Sequence, residues 1–313
     1  MLVGAIDLGG THATCALVRD TEVLARETLT ACGSGGLAPF LPRLATSIRN
    51  LSCRSGISLS DCAGLVLGFC GIADADSGRV LSTNGKYDDA PGIDLPGWCE
   101  TELGLPFRIE NDARLALLGE RVAGAARGYD DVVMMTLGTG IGGAAMIGRK
   151  LVRGKHYQAG CLGGHLAIHP RGRRCTCGAI GCAESEASTW VLPTLCREWP
   201  GFEQSELVRE TALDFATLIR VMETGDVIAE QILAHCLDVW AALAVSLIHA
   251  YDPEVLVMGG GIMKSADRIL PVIRERVQNF AWTPWGKVRV VAAECGDQAT
   301  LLGAVPLLEE FQV

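Results

Sequence analysis

The stretch LVGAIDLGGTHATCALVRD, residues 2–20, runs from an apolar segment through paired glycines into a second apolar segment. The run to Ile6 predicts a buried strand, Gly9 and Gly10 a tight turn, and ATCALV a returning strand, so the whole predicts a hairpin. The same grammar returns in DVVMMTLGTGIGGAAMIGRK, residues 131–150, where Thr136, Leu137 and Gly138 match Asp7, Leu8 and Gly9 in order. A repeat of this kind predicts two similar domains. CAGLVLGFCGIAD (62–74) and PFRIEN (106–111) read as further strands, the latter entering an amphipathic helix from about Ala113. ETALDFATLIRVMETG (210–225) and DVIAEQILAHCLDVWAALAVSLIHAYDP (226–253) carry helical periodicity, the second closed by Asp252-Pro253. EVLVMGGGIM (254–263) then reads as a buried strand ending in three glycines. Strands alternating with helices make this an α/β protein. No compositional linker marks the domain boundary, which the repeat alone puts within 112–130.

A chain of 313 residues, 49% hydrophobic and 20% charged, can bury a large core. The first residues have no signal-peptide order, and no uncharged apolar run reaches the roughly 18 residues of a spanning helix, so the expectation is a cytoplasmic protein without a membrane partner. A net charge of −9, with no basic run beyond RGRR, argues against nucleic acid as the main partner. A small-molecule substrate fits better. The thirteen cysteines of a cytosolic chain read as buried apolar residues or metal ligands, not as disulfides.

A glycine turn lets backbone N–H groups approach an anion, and a hydroxyl in the turn adds a donor. Asp7, Gly9, Gly10 and Thr11 form one such turn, and Thr136, Gly138, Thr139 and Gly140 the other. An opposed pair could hold the β- and γ-phosphates of one nucleotide, with Gly259, Gly260 and Gly261 admitting the nucleoside. No Gly-Lys-Ser/Thr follows either turn, so neither is a Walker A loop. The phosphate charge would then be met by backbone donors and Mg2+, with Asp7 orienting the metal or its water. Asp112, after FRIEN and Asn111, reads either as a helix N-cap or as a general base at the carboxyl edge of a sheet.

The run GGHLAIHPRGRRCTCGAIGCAESEAS (163–188) supplies His165, Cys175, Cys177 and Cys182, with Gly178 and Gly181 to reverse the chain. Four such ligands suit a closed, structural zinc site, with His169 a competitor for the nitrogen position. A zinc-bound imidazole still offers its other N–H to a substrate oxygen. Glu184 would project from the same wall.

The chain resembles the ROK (repressor, open reading frame, kinase) family of sugar kinases. The resemblance runs through DLGGTH, NGKYDDAPGIDLPGW, ENDARLALLGE, TLGTGIGG, the cysteine segment, VLVMGGGI and DQATLLGA, essentially the whole chain. It implies two ribonuclease H-like domains of the actin/hexokinase type around a central cleft. The smaller would comprise 1–112 plus about 299–313, and the larger 113–298 with the zinc loop 163–186. It also implies transfer of the ATP γ-phosphate to a hydroxyl, usually O6, of a hexose or hexose derivative, and a homodimer. By resemblance Asp112 is the base, Asn84, Asn111, His165 and Glu184 meet sugar hydroxyls, and His165 with the three cysteines holds zinc.

One departure stands out. ROK kinases usually carry Ala-Gly-Glu-x-Gly-His, whereas this chain reads AGCLGGH (159–165), with Leu162 where the sugar-binding glutamate would stand. The expectation is weak activity on glucose and preference for a deoxy, epimeric or modified hexose, unless Asp88, Asp89 or Glu186 fills the gap. A family repressor would carry a DNA-binding domain before the first hairpin, and with that hairpin starting at residue 4 the expectation is a kinase and not a repressor. An actin- or chaperone-like ATPase would not need the zinc wall, and a sensor that has lost catalysis would not need Asp112.

Overall fold

The computed structural model describes residues 1–311. It divides into two compact units, residues 1–128 with 152–161 and 294–311, and residues 129–151 with 162–293. In the first unit, β1 (Leu2–Leu8) and β2 (His12–Arg19) form the expected hairpin, and β3 (Glu22–Thr30) extends it antiparallel. β4 (Leu65–Phe69) lies parallel to β1; a small hairpin of β5 (Ile72–Asp74) and β6 (Arg79–Ser82) follows; β7 (Phe107–Asn111) then lies parallel to β4. The sheet order is β3-β2-β1-β4-β7.

The second unit repeats this plan. β8 (Val132–Leu137) and β9 (Ile141–Ile147) form a hairpin, β10 (Lys150–Leu151) adds an antiparallel edge, and β11 (Val255–Gly259) and β12 (Arg289–Ala292) add parallel strands. The order β10-β9-β8-β11-β12 reproduces the first sheet strand for strand. Asp7 and Thr136 hold the same place: each is the penultimate residue of its strand and lies opposite a glycine of the parallel neighbour, Gly68 and Gly259. Parallel strands covered on both faces need continuous apolar sequence, and β4 and β11 are buried at every residue.

The first core gathers Ile6, Leu8, Leu17, Leu44, Ile48, Leu67, Phe69 and Tyr87. In the second unit, the helix Val227–Tyr251 is long and apolar enough to cross a membrane by length and composition. Here it is a core helix: Trp240 is buried, donates through Nε1 to Ala187 O at 2.9 Å, and packs its ring 5.1 Å from Phe215.

The break between units departs from the sequence expectation at 112/113. The helix Asp112–Ala123 stays in the first unit, where Gly119 meets the chain at Ala299 so closely that a Cβ would lie 2.0 Å from Ala299 O. The segment 152–161 stays there too, because Arg114, fully buried, donates to Tyr157 O and Ala159 O and pairs with Glu110 at 3.0 Å. Both attachments join residues far apart in sequence, which composition cannot register.

Candidate functional site

At the end of β7 the chain turns directly into a helix whose N-cap is Asn111, not Asp112. Asn111 Oδ1 accepts from Ala113 N and Arg114 N, while its amide nitrogen donates to Gly71 O and Asp112 Oδ1. Those four bonds engage the amide within the protein, so Asn111 positions Asp112. Asp112 is the first helical residue, and its Oδ1 also accepts from Ala113 N at 2.8 Å. Burial raises its pKa, countered by the Ala113 N–H and the positive charge of Lys86.

Asp7, two residues before Gly9 of the first glycine turn, is drawn up to about 7 by burial, then by the charges of Asp112 and Asp297. Both carboxyls are raised by burial at the carboxyl ends of parallel strands, and the charge of Asp112 adds to the rise at Asp7. The turn beside them is pinned by Gly9 N to His12 O at 2.9 Å and by Tyr87 OH donating to Gly9 O at 2.8 Å. Thr11 is exposed at its tip, and Asn84 is exposed in the loop after β6.

In the second unit the other two glycine runs come together. Gly260, at φ +92, passes so close to the end of β8 that a Cβ would lie 2.3 Å from Leu137 O. Gly259 faces Thr136 across the sheet, and Gly261 has open space around it. Glu184 holds the β8–β9 turn: its buried carboxylate accepts from Ile141 N at 2.9 Å and fills the place where a Cβ on Gly140 would lie, 2.4 Å from Oε2. Thr189 N and Trp190 N add bonds to Gly138 O and Thr139 O. The cysteine segment and the Thr136–Gly140 turn are thus one block, a link the sequence did not reveal because it joins residues 140 and 184.

His165, Cys175, Cys177 and Cys182 converge, each with a ligand atom within 4.8 Å of the others. Cys175 Sγ lies 3.5 Å from His165 Nδ1 and Cys177 Sγ 3.6 Å from Cys182 Sγ. Zinc–sulfur bonds of about 2.3 Å in a tetrahedron separate neighbouring ligands by roughly 3.8 Å, so the set fits one zinc ion. His169 is not part of it; its Nδ1 lies 3.7 Å from Glu186. Gly178 and Gly181 both take positive φ, and a Cβ on Gly181 would strike His169 O at 1.6 Å. Before the histidine, Gly164 crowds against Ile141 O at a notional Cβ distance of 1.8 Å, so no larger residue fits there.

The carboxylates proposed to replace the absent glutamate are each engaged elsewhere. Asp88 accepts from Thr83 Oγ1 at 2.5 Å, Asp89 from Leu37 N and Ala38 N at 2.6 and 2.9 Å, and Glu186 from Arg173 N at 2.5 Å.

A model of the ROK family matches residues 3–310. A glucokinase of Thermotoga maritima is 30% identical over 316 aligned residues, covering 99% of this chain and 97% of that protein. Among solved structures, a ROK family glucokinase from Streptomyces griseus, in complex with glucose and AMPPNP, superposes with a TM-score of 0.81 at 27% identity, over 98% of this chain and 99% of that one. A ROK hexokinase from Thermus thermophilus gives a TM-score of 0.80 at 28% identity with full coverage of both chains.

Proposed function

This chain belongs to the ROK family and is a carbohydrate kinase, and on that premise we propose that it moves the γ-phosphoryl group of ATP to a hydroxyl, O6, of a hexose or hexose derivative, with Asp112 as general base. The observation that carries this reading is the setting of Asp112. Its Oδ1 is fixed by Asn111 and Ala113 N, its pKa is raised by burial, and it stands at the strand ends with Asp7. A raised carboxylate pKa makes a stronger base for the hydroxyl proton. The sugar oxygen forms its bond to the γ-phosphorus as the bond to the β,γ-bridging oxygen breaks, the electron pair leaving with ADP and the proton passing to Asp112.

The glycine turns would receive the phosphates and the Gly259–Gly261 run the nucleoside, with Asp7 serving Mg2+. Asn84, Asn111, His165 and Glu184 would meet sugar hydroxyls, with Asn111 also positioning Asp112. Zinc, when bound to the four ligands, would fix the imidazole ring and the loop around it. Leu162, partly buried, cannot accept a hydrogen bond where the family pattern has glutamate. A buried sugar hydroxyl left unpaired costs about 1–3 kcal/mol, roughly ten- to a hundredfold in affinity. The favoured sugar then lacks or inverts that hydroxyl.

The test is ADP release with magnesium and ATP across hexoses, deoxyhexoses, pentoses and N-acetylhexosamines, with the sugar phosphate identified. Turnover that depends on one sugar class supports the kinase reading. ATP hydrolysis that no sugar stimulates would replace it with the actin-like ATPase alternative, and a glucose kcat/KM of about 10⁵ M⁻¹s⁻¹ or above would remove the specificity argument.

A further inference from the structure

Lys86 lies in the loop after β6, within the first unit, in the segment NGKYDDAPGIDLPGW, where the sequence singled out Asn84, Asp88 and Asp89 but not the lysine. The structure builds that loop onto the first glycine turn. Tyr87, fully buried, donates through its backbone N to Gly33 O at 2.6 Å and through its hydroxyl to Gly9 O at 2.8 Å. It does so in the left-handed region, φ +56, which a residue with a side chain seldom adopts. Asp89 ties the far side of the loop to Leu37 N and Ala38 N. The consequence is a fixed position for the residue just before Tyr87.

The Lys86 stem runs along two glycines. A Cβ on Gly33 would lie 3.0 Å from Lys86 Cβ, and a Cβ on Gly10 would lie 2.8 Å from Cε and 3.2 Å from Nζ. The ammonium therefore ends against the turn between β1 and β2. Among the described residues it makes no hydrogen bond and no ion pair. Its charge nevertheless reaches inward, drawing down both Asp112 and the Cys70 thiol. A partly buried cation without a partner, held over a turn whose backbone can receive phosphate and near enough to Asp112 to act on it, is a site prepared for an anion that the protein itself does not supply.

We propose that Lys86 contacts the γ-phosphoryl group of ATP at the Gly9–Gly10 turn and stabilises its charge during transfer to the sugar. This rests on the ATP-dependent kinase reading above. As the phosphorus leaves the bridging oxygen of ADP and bonds to the sugar oxygen, the hydroxyl proton goes to Asp112 and Lys86 stays protonated. The cation supplies what a Walker A lysine supplies elsewhere, from a loop outside the glycine turn.

The test uses the full chain with Lys86→Met, which keeps the stem packed on Gly10 and Gly33, and Lys86→Arg, which keeps the charge. Affinity for ADP and for a non-hydrolysable ATP analogue is measured first, with no sugar present. The Met variant is expected to bind the analogue about tenfold more weakly and ADP as the parent does, because only the γ-phosphate is lost to it. With the best sugar, its kcat should fall roughly 10²-fold, in the range of other transition-state charge stabilisers, with sugar KM within about twofold and at least a tenth of the loss recovered by Arg. Parent analogue affinity in the Met variant, equal losses for ADP and analogue, or a rise confined to sugar KM each overturn the proposal. A parent protein that phosphorylates no sugar would refute the kinase reading instead, while the binding comparison still decides the role of Lys86.

Discussion

Replacing Glu184 by alanine should loosen the second glycine turn and not merely remove a sugar contact. Ile141 N–H is buried, and the Glu184 carboxylate at 2.9 Å is its partner. Leaving a buried N–H without an acceptor costs about 1–3 kcal/mol, and bonds to a charged acceptor lie in the upper part of that range. A loss of about 2 kcal/mol in the ability to hold the turn corresponds to roughly 30-fold in affinity for a ligand that needs it. The same loss lowers Tm by about 4–8 °C for a unit of this size. Glu184→Gln keeps an oxygen acceptor, so it should retain most of the nucleotide affinity while losing a charged partner for the sugar. Titration calorimetry with a non-hydrolysable ATP analogue, beside steady-state sugar KM, separates the two effects. An alanine variant that binds the analogue as tightly as the parent while only sugar KM rises would refute the coupling between the cysteine segment and the turn.

Freshly purified protein should contain one zinc per chain, and Cys177→Ala should lose it and raise sugar KM far more than ATP KM; metal analysis that finds no zinc in the parent removes this assignment. Stability without ligands should fall as pH rises from about 4 to 7. Asp7 is drawn up to about 7, so in that window the folded protein keeps a proton that the unfolded chain, with an ordinary carboxylate, has released, and the stabilisation present at low pH is lost. Melting curves at pH 5 and 7.5 in the absence of magnesium should show the decline in the parent and a smaller one in Asp7→Asn; equal declines would contradict the burial of Asp7 as its cause.

The hairpins, the repeat and the cysteine–histidine cluster were legible because each is written in local spacing. Glycines between apolar runs dictate turns, and the match of Asp7 to Thr136 places both at the same point of two equivalent sheets. β3 was harder to read: its exposed and half-buried positions alternate with charged residues, leaving only a weak apolar pattern. β10 is two residues long. The unit boundary was misplaced because it depends on close backbone approaches, Gly119 to Ala299 and Arg114 to the 157–159 carbonyls. The helix cap was hard to place for a similar reason: an Asn-Asp pair before a helix offers two caps, and only the geometry shows that Asn111, and not Asp112, takes the task. Lys86 lay within a segment that carried the resemblance but had no role attached to it, and its position comes from a loop folded against a turn more than seventy residues earlier.

In the proposed reaction the Asp112 carboxylate takes the proton from the attacking hydroxyl. Asp112→Asn keeps an oxygen for Ala113 N and Asn111, so fold and nucleotide binding should survive. Sugar phosphate formation by this variant, measured at saturating ATP and sugar, should fall roughly 10²- to 10⁴-fold with the affinity for a non-hydrolysable ATP analogue unchanged. Transfer at the parent rate would contradict the account.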